Sequence, residues 1–219
     1  MRQLFAPGAD AVMRLFLFGA LAAVVSGFVV VSNVSRSDYM TGVGIAPEQP
    51  VPFSHKHHSG ELGIDCRNCH QQVEYAATSG LPQTWTCMTC HSQIWAQSPM
   101  LAPVRDSLAN NTPIEWVRVN RLPDYVQFNH SIHVTKGIGC SSCHGAVDTM
   151  QLTYRANAFE MQFCLSCHRQ PEKFIRTADQ VWNMEWSPPP DQAKIGPELV
   201  AQHHIRSAGE LSDCSICHR

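Results

Sequence analysis

Ten cysteines stand in this chain as five Cys-x-x-Cys pairs, and a histidine follows the second cysteine every time. The units are Cys66/Cys69/His70, Cys87/Cys90/His91, Cys140/Cys143/His144, Cys164/Cys167/His168 and Cys214/Cys217/His218. They use every cysteine, so no thiol remains for a disulfide or a nucleophile. A lone Cys-x-x-Cys would also suit zinc or a redox dithiol. The added histidine, five times in five, selects covalent haem: each cysteine bonds one vinyl group, and the histidine ligates the iron as its proximal ligand. The cofactors expected are five c-type haems. With about 37 residues per motif beyond the N-terminal segment, no sizeable aliphatic core can form. The porphyrins themselves must supply the apolar interior.

Residues 15–34 carry no charge and are long enough to cross a hydrocarbon core as a helix. The run exceeds the apolar stretch of a usual signal peptide, so it reads as a retained single-pass anchor. Arg2 and Arg14 precede it and Arg36 follows, which puts residues 1–14 in the cytoplasm. Haem attachment outside the cytoplasmic membrane gives the same orientation, with the haem domain on the periplasmic side. Gly19, Ala23 and Gly27 recur every fourth residue and would let a neighbouring helix approach. Residues 35–52 are a polar connector leading to a haem domain at 53–219.

That domain repeats internally. Phe53-Ser-His55-Lys-His57-His58 leads into Cys66, Phe128-Asn-His130-Ser-Ile-His133 into Cys140, and His203-His204 into Cys214. Successive leading cysteines lie 74 residues apart. Residues 53–91 hold motifs one and two, 128–168 motifs three and four, and 169–219 a crossing and motif five. Between the pairs, 92–127 contains Pro99, Pro103, Pro113 and Pro123, which should break helices into short pieces. Residues 182–190 end in three prolines and read as an extended crossing. Short helical turns, long loops and little or no sheet are expected.

Seven histidines lie outside the motifs, enough to close five irons from the second side. His55, His58, His130 and His133 hold matching places in two repeats and are the expected distal ligands. His204 is preferred to His203 because it precedes Cys214 by ten residues, as His130 precedes Cys140. Met100, Met150 and Met184 are the competing axial ligands, with the fifth haem the first candidate for His/Met ligation. Six-coordinate iron offers no place to substrate, so the expected function is electron transfer, without catalysis by this chain. The net charge of −2 omits the haem propionates and gives no basic patch for nucleic acid. Arg67, Arg118, Arg121, Arg155, Arg169 and Arg206 are candidates for propionate pairing or for solvated surface.

The Phe-x-His-x-x-His…Cys-x-x-Cys-His units resemble class III multihaem cytochromes c. That resemblance implies that His55 caps the haem at His70 and His130 the haem at His144, with His58 and His133 reaching other rings. It also implies a mostly irregular and α-helical class III-like fold beside the one transmembrane helix. The chain is similar, more closely, to the pentahaem cytochrome subunit of alternative complex III, a quinol:electron acceptor oxidoreductase. Carrying that likeness are the five motif spacings and the runs Pro113-Ile-Glu-Trp-Val-Arg-Val119, Leu122-Pro-Asp-Tyr-Val126 and Phe163-Cys-Leu-Ser-Cys-His-Arg169. It implies polytopic quinol-binding membrane subunits, an iron–sulfur protein, and a monohaem cytochrome c subunit or a soluble cytochrome c or blue copper acceptor as partners. The alternative is a membrane-anchored multihaem quinol dehydrogenase that feeds periplasmic reductases.

Overall fold

The structure, a computed structural model, describes residue 6 and residues 8–218. Of the expected cytoplasmic segment 1–14, residues 1–5 and 7 lie outside the described residues. The chain divides into two compact units between Val43 and Gly44.

In the first unit, helix α1 (Ala9–Ser35) has 27 residues and a mean hydropathy of 2.4 over its most apolar window, and none of its side chains is buried. At 1.5 Å per residue it reaches about 40 Å, more than a hydrocarbon core requires. Its polar ends are satisfied locally: Arg14 pairs with Asp10 at 2.8 Å, and Asn33 donates to the Val29 carbonyl at 2.8 Å. Helix α2 (Asp38–Thr41) follows and stops at Gly42, whose φ of 71° is left-handed.

The second unit carries all five motifs on short helices. These are α3 (Cys66–Cys69), the end of α4 (Thr84–His91), α7 (Cys140–His144), the end of α8 (Met161–His168) and α11 (Cys214–Cys217). One helical turn between the cysteines puts both on the same side, as thioether attachment needs. Asp65 and Asp213 cap α3 and α11 alike, each accepting from the backbone two residues on, at 2.8 and 2.9 Å. Helix α6 (His130–Thr135), capped by Asn129, leads into the third motif. A π-helical stretch, Lys56–Glu61, precedes the first.

Two helices are longer than the proline pattern predicts. Pro103 lies in the first turn of α5 (Ala102–Asn110), where its missing N–H costs nothing, so it starts a helix where a break was expected. After the three prolines at 188–190, α9 (Gln192–Gln202) packs on the single turn Pro171–Lys173. There Gln192 donates to the carbonyls of Glu172 and Ile175 at 2.7 and 3.0 Å. The short α10 (Ala208–Leu211) opens with a capping box between Ser207 and Glu210. No sheet forms among the described residues, and Ile138 and Ile175 make an isolated antiparallel bridge.

Among the described residues eight apolar side chains are buried: Val51, Val73, Leu101, Val104, Met150, Ile175, Val181 and Leu199. Of these, Val51, Leu101 and Val104 join into a cluster. So thin an interior cannot offset the entropy of ordering the second unit, and the remaining apolar mass must come from bound cofactor.

Close backbone approach matters at Gly196, where an added Cβ would meet the Glu172 carbonyl. Gly196→Ala is therefore expected to destabilise by about 1–3 kcal/mol through overpacking, read as a lowered denaturation midpoint in urea. Gly209→Ala, with open space around its Cβ, is the control.

Candidate haem sites

The motif histidines and the repeat histidines come together in pairs. His55 and His70 face each other with ring centres 6.5 Å apart and planes 8° from parallel. For His130 and His144 the values are 6.4 Å and 4°. His133 and His168 stand 6.1 Å apart at 23°, and His58 and His91 stand 6.1 Å apart at 61°. A metal ion held by two opposed imidazoles needs about 2 Å to each nitrogen. With about 1.2 Å more from each nitrogen to its ring centre, the centres fall about 6.4 Å apart. All four pairs match that separation, and direct stacking would bring the rings much closer.

Nine histidines also share one polarity. A ligating imidazole normally gives its second ring N–H to an acceptor, which fixes its tautomer and aim. The Nδ1 atoms of His70, His91, His168 and His218 lie 2.9, 3.0, 2.9 and 3.2 Å from the carbonyls of Gly80, Ile94, Leu211 and Tyr125. Those of His58, His130 and His133 lie 2.9, 3.0 and 2.7 Å from the carbonyls of Ser54, Ala77 and Asn129. His55 Nδ1 lies 2.8 Å from the Thr153 hydroxyl. The Asn120 amide lies 3.1 Å from His144 Nδ1, and its buried Oδ1 has no other partner. Turned to accept from Nδ1–H, that oxygen satisfies both groups. Every one of the nine rings thus keeps Nε2 for a metal.

Burial keeps key rings neutral. His144 is pushed down to about 4, first by burial and then by His130, His70 and His55 nearby. His55 is likewise lowered to about 4 by burial and by His70 and His58. His133 is lowered too, mainly by burial. The aromatic residue that opens each of the first two repeats orients both ligand candidates behind it. Phe53 stacks on His58 at 4.5 Å and meets His55 edge-on at 4.9 Å, and Phe128 does the same to His133 and His130 at 4.5 and 4.7 Å.

The cysteines are not equally sheltered, although the sequence gives all ten the same part. Cys66, Cys69, Cys87, Cys140, Cys143, Cys164, Cys167 and Cys217 are half-buried, whereas Cys90 and Cys214 are exposed. Cys90 and Cys214 are thus the two attachment sulfurs most open to solvent. For Cys90 the cause is its place on α4: Cys87, one turn earlier, faces the first motif, while Cys90 is on the last turn, with the Thr89 hydroxyl 3.9 Å from its sulfur. No neighbouring motif covers that end of the helix. Cys214 is open for the same reason at the first turn of α11, while Cys217 lies near Cys164. Cys90 keeps its one-turn spacing from Cys87, so the second site is placed at the surface with its attachment geometry intact.

The fifth motif differs further. His218 faces no histidine among the described residues; its ring neighbour is Tyr125 at 5.9 Å. His203 offers its carbonyl to Lys136 Nζ at 2.6 Å. His204, expected to close the fifth iron, is not brought to His218: it sits just past the end of α9 in a left-handed conformation, φ 50°. His57 stays on the surface, its Nδ1 3.0 Å from Glu61, outside every pair.

The motifs neighbour one another in an order that is not their order in the chain. His55 and His58 on one turn link motifs one and two, and Cys69 lies within electrostatic range of Cys87. Cys66 and Cys140 touch side chain to side chain, and His130 leans on the Ala77 carbonyl in the loop after motif one. His130 and His133 link motifs three and four, where Cys143 adjoins Cys164 and Cys167. Cys164 adjoins Cys217, and His168 is held by Leu211, just before motif five. The spatial order is two, one, three, four, five, and the two exposed cysteines belong to its two ends. Sequence reasoning supplied the histidines but missed their holders, Thr153, Asn120 and seven backbone carbonyls, because no residue type marks a carbonyl that will accept from an imidazole.

The donor set fits haem. At four motifs paired imidazoles stand at bis-ligation spacing with Nε2 free, behind cysteines one turn apart on a single helix side. Among the described residues no three His, Cys, Asp or Glu side chains converge as an isolated ion would require.

The fold is mostly helical and irregular, of the class III cytochrome kind, without sheet among the described residues and with one N-terminal apolar helix, and two family models each match less than half of the chain. A cytochrome c3 model matches residues 132–219, and a model of the class III cytochrome C family matches residues 32–100. The chain is similar to the multihaem cytochrome c subunit of menaquinone reductase from Nitratidesulfovibrio vulgaris (strain Hildenborough), with 36% identity over 98 residues. That match covers 44% of this chain and 46% of the relative, so the chain spans about half the length of the relative it matches. A c-type cytochrome of this kind works outside the cytoplasm.

Proposed function

We propose that this chain is the electron-transfer subunit of a membrane quinone-linked oxidoreductase, exchanging electrons between menaquinone and an extracytoplasmic redox partner. The observation that carries the reading is the set of four opposed histidine pairs with occupied Nδ1 and free Nε2. Proximal ligands would be His70, His91, His144, His168 and His218, with thioethers at the ten cysteines, the exposed Cys90 and Cys214 included. Distal ligands would be His55 for the first motif, His58 for the second, His130 for the third and His133 for the fourth. For the fifth, His204 is the candidate by its ten-residue spacing, but it does not face His218 in this structure and would have to turn toward it when haem is bound.

When bound, haem supplies one-electron iron chemistry. At four motifs the chain would hold the ring from both faces, which denies substrate a coordination site there and leaves electron exchange as their work. It keeps His55 and His144 neutral, so that Nε2 stays a ligand through the physiological range. It also orders the sites two, one, three, four, five, which makes the second and fifth the ends open to partners; exposure of Cys90 and Cys214 at those ends supports this. Residues 15–34, within α1, would anchor the subunit with residues 1–14 inside, and Gly19 and Gly27, with nothing within 4 Å, would face a partner's helix. Residues 35–52 would connect to the haem domain.

The menaquinone side of this reading is supported by the relative's name, and it accords with a membrane-anchored quinol dehydrogenase more closely than with alternative complex III. The second reading, that complex, is favoured by the runs at 113–119, 122–126 and 163–169. It would add polytopic quinol-binding subunits, an iron–sulfur protein and a monohaem, soluble cytochrome c or blue copper acceptor.

The test is purification from membranes in mild detergent, followed by reduction of the haem spectrum with a menaquinol analogue and reoxidation with the quinone. Exchange with quinone, alone or with co-purifying membrane subunits, is the expected result. Polytopic subunits together with an iron–sulfur protein and fast onward transfer to a soluble cytochrome c would instead select alternative complex III. No exchange in either direction with all partners present would overturn both.

A further inference from the structure

Among the described residues, Arg176 is the only charged side chain that is buried, at 3% exposure. Its guanidinium donates to the hydroxyls of Ser141 and Ser142 at 2.8 Å each, and to the carbonyls of Asn183 and Gln180 at 3.1 and 3.4 Å. The plane lies over the Trp186 ring at 4.1 Å. Gly139 leaves it room, since a Cβ there would overlap the guanidinium. Nε is buried without a partner, and among the described residues no carboxylate stands within ion-pair distance. The groups in its electrostatic range are Cys140 and Cys143.

A guanidinium does not give up its proton in a protein, so burying one without a counter-ion is costly and calls for a reason. Propionate pairing is not that reason. Haem carries its vinyl groups and its propionates on opposite edges, and Arg176 grips the two serines between the cysteines of the third motif. The first motif meets the third there too, through Cys66 and Cys140, so haems bound at both would present their thioether edges. What remains is the field of a fixed positive charge beside a metal that would gain and lose one electron, in surroundings that screen it poorly.

We propose that Arg176 is a tuning residue that makes the haem held by Cys140, Cys143 and His144 easier to reduce. Ferric iron carries one more positive charge than ferrous iron, so a buried cation nearby disfavours the oxidised state. The third motif lies in the middle of the spatial order, and the charge therefore makes the centre of the row its electron-attracting point. The proposal rests on haem attachment at that motif.

The full chain carrying its haems, in detergent at pH 6, is titrated spectroelectrochemically as wild type, Arg176→Gln, Arg176→Lys and Ser142→Asp. Removing the charge should lower the reduction equilibrium of one component by about tenfold, which is 59 mV for a one-electron couple, and leave the others in place. Lysine keeps the charge and should keep the wild-type value. Ser142→Asp sets a carboxylate against the intact guanidinium and should reproduce the downward shift. Five haems with every component of Arg176→Gln within twofold of wild type would overturn the proposal, as would Arg176→Lys moving as far as Arg176→Gln. If Arg176→Gln cannot be recovered with its haems, Ser142→Asp decides alone, and an unmoved titration overturns it. A haem count and peptide mass on the wild type separate the failures: an empty third motif sinks the haem assignment itself, while full occupancy with unmoved potentials sinks only the role of Arg176.

Discussion

Replacing His130 by alanine is expected to turn one of the five proposed haems from low-spin to high-spin and to let carbon monoxide bind it when reduced. The ring centre of His130 stands 6.4 Å from that of His144, within 4° of parallel, so no other geometry among the pairs is closer to collinear ligation. Alanine removes the imidazole without a substitute, because the nearest aromatic ring, Phe128, has no donor atom. The change should be confined to about one fifth of the haem absorbance, since His133 would still close the fourth site from the other end of the same turn. His130 also ties the third site to the loop after the first: its backbone N–H and its Nδ1 both reach the Ala77 carbonyl, at 3.1 and 3.0 Å. Electron passage between the two halves of the row should therefore slow as well. His57→Ala is the matched control, because His57 sits on the surface with Glu61 and should leave the spectrum unchanged. A His130→Ala protein that stays wholly low-spin and unreactive to carbon monoxide would remove His130 from the ligand set, and with it the paired reading of the repeat.

Much of this arrangement was readable in the chain. The motifs announce their cofactor because covalent attachment needs adjacent residues, and adjacency survives in a sequence. The Phe-x-His-x-x-His repeats announced ligand candidates for a similar reason, since one short turn must aim two rings in opposite directions. Which ring His58 or His133 would face was not legible. That depends on how α4 and α8 pack, and the structure brings them to His91 and His168. Nor could the motifs tell Cys90 from Cys69, since identical spacing says nothing of which sulfur a neighbouring site will cover. The fifth site shows the limit of spacing most clearly. His130 begins α6, where Asn129 caps the helix and fixes the ring's direction. His204, at the same distance from its motif, lies beyond the end of α9, and its neighbour Ile205 turns back to the Val200 carbonyl at 3.0 Å. Equal spacing on unlike elements gives unlike directions. Among the arginines, Arg67 binds Asp65 at 2.9 Å and lies over Trp182 at 4.7 Å, while buried Arg176 carried no mark in the sequence at all. Burial of a cation is set by tertiary packing, and no local pattern encodes it.

Acidification is expected to weaken the fold across a defined window, from about pH 6.5 down to about pH 4. His55 and His144 are each held to about 4 in the folded chain, burial being the first cause in both. In the unfolded chain both return to the ordinary value of about 6.5. Between those limits the unfolded state binds protons that the folded state refuses, so stability rises with pH across the window and is fully present above it. As pH falls, the contribution is lost progressively, and iron bound at Nε2 would carry the loss below about 4. Two and a half pH units correspond to on the order of 3 kcal/mol for one histidine. The pair contributes less than twice that, because each lies in the field of the other's neighbours. Against a typical total of about 5–15 kcal/mol this is a large share. Ligation acts in the same direction, since a proton on Nε2 displaces the metal. Urea midpoints measured every half unit from pH 7.5 to 4 should fall steadily below about 6.5, and the low-spin spectrum should fade with them. Salt should move the curve little, because buried rings are poorly screened. A flat profile across the window, or one that rises toward acid, would mean that these imidazoles are open to water in the folded protein and could not close an iron from both sides.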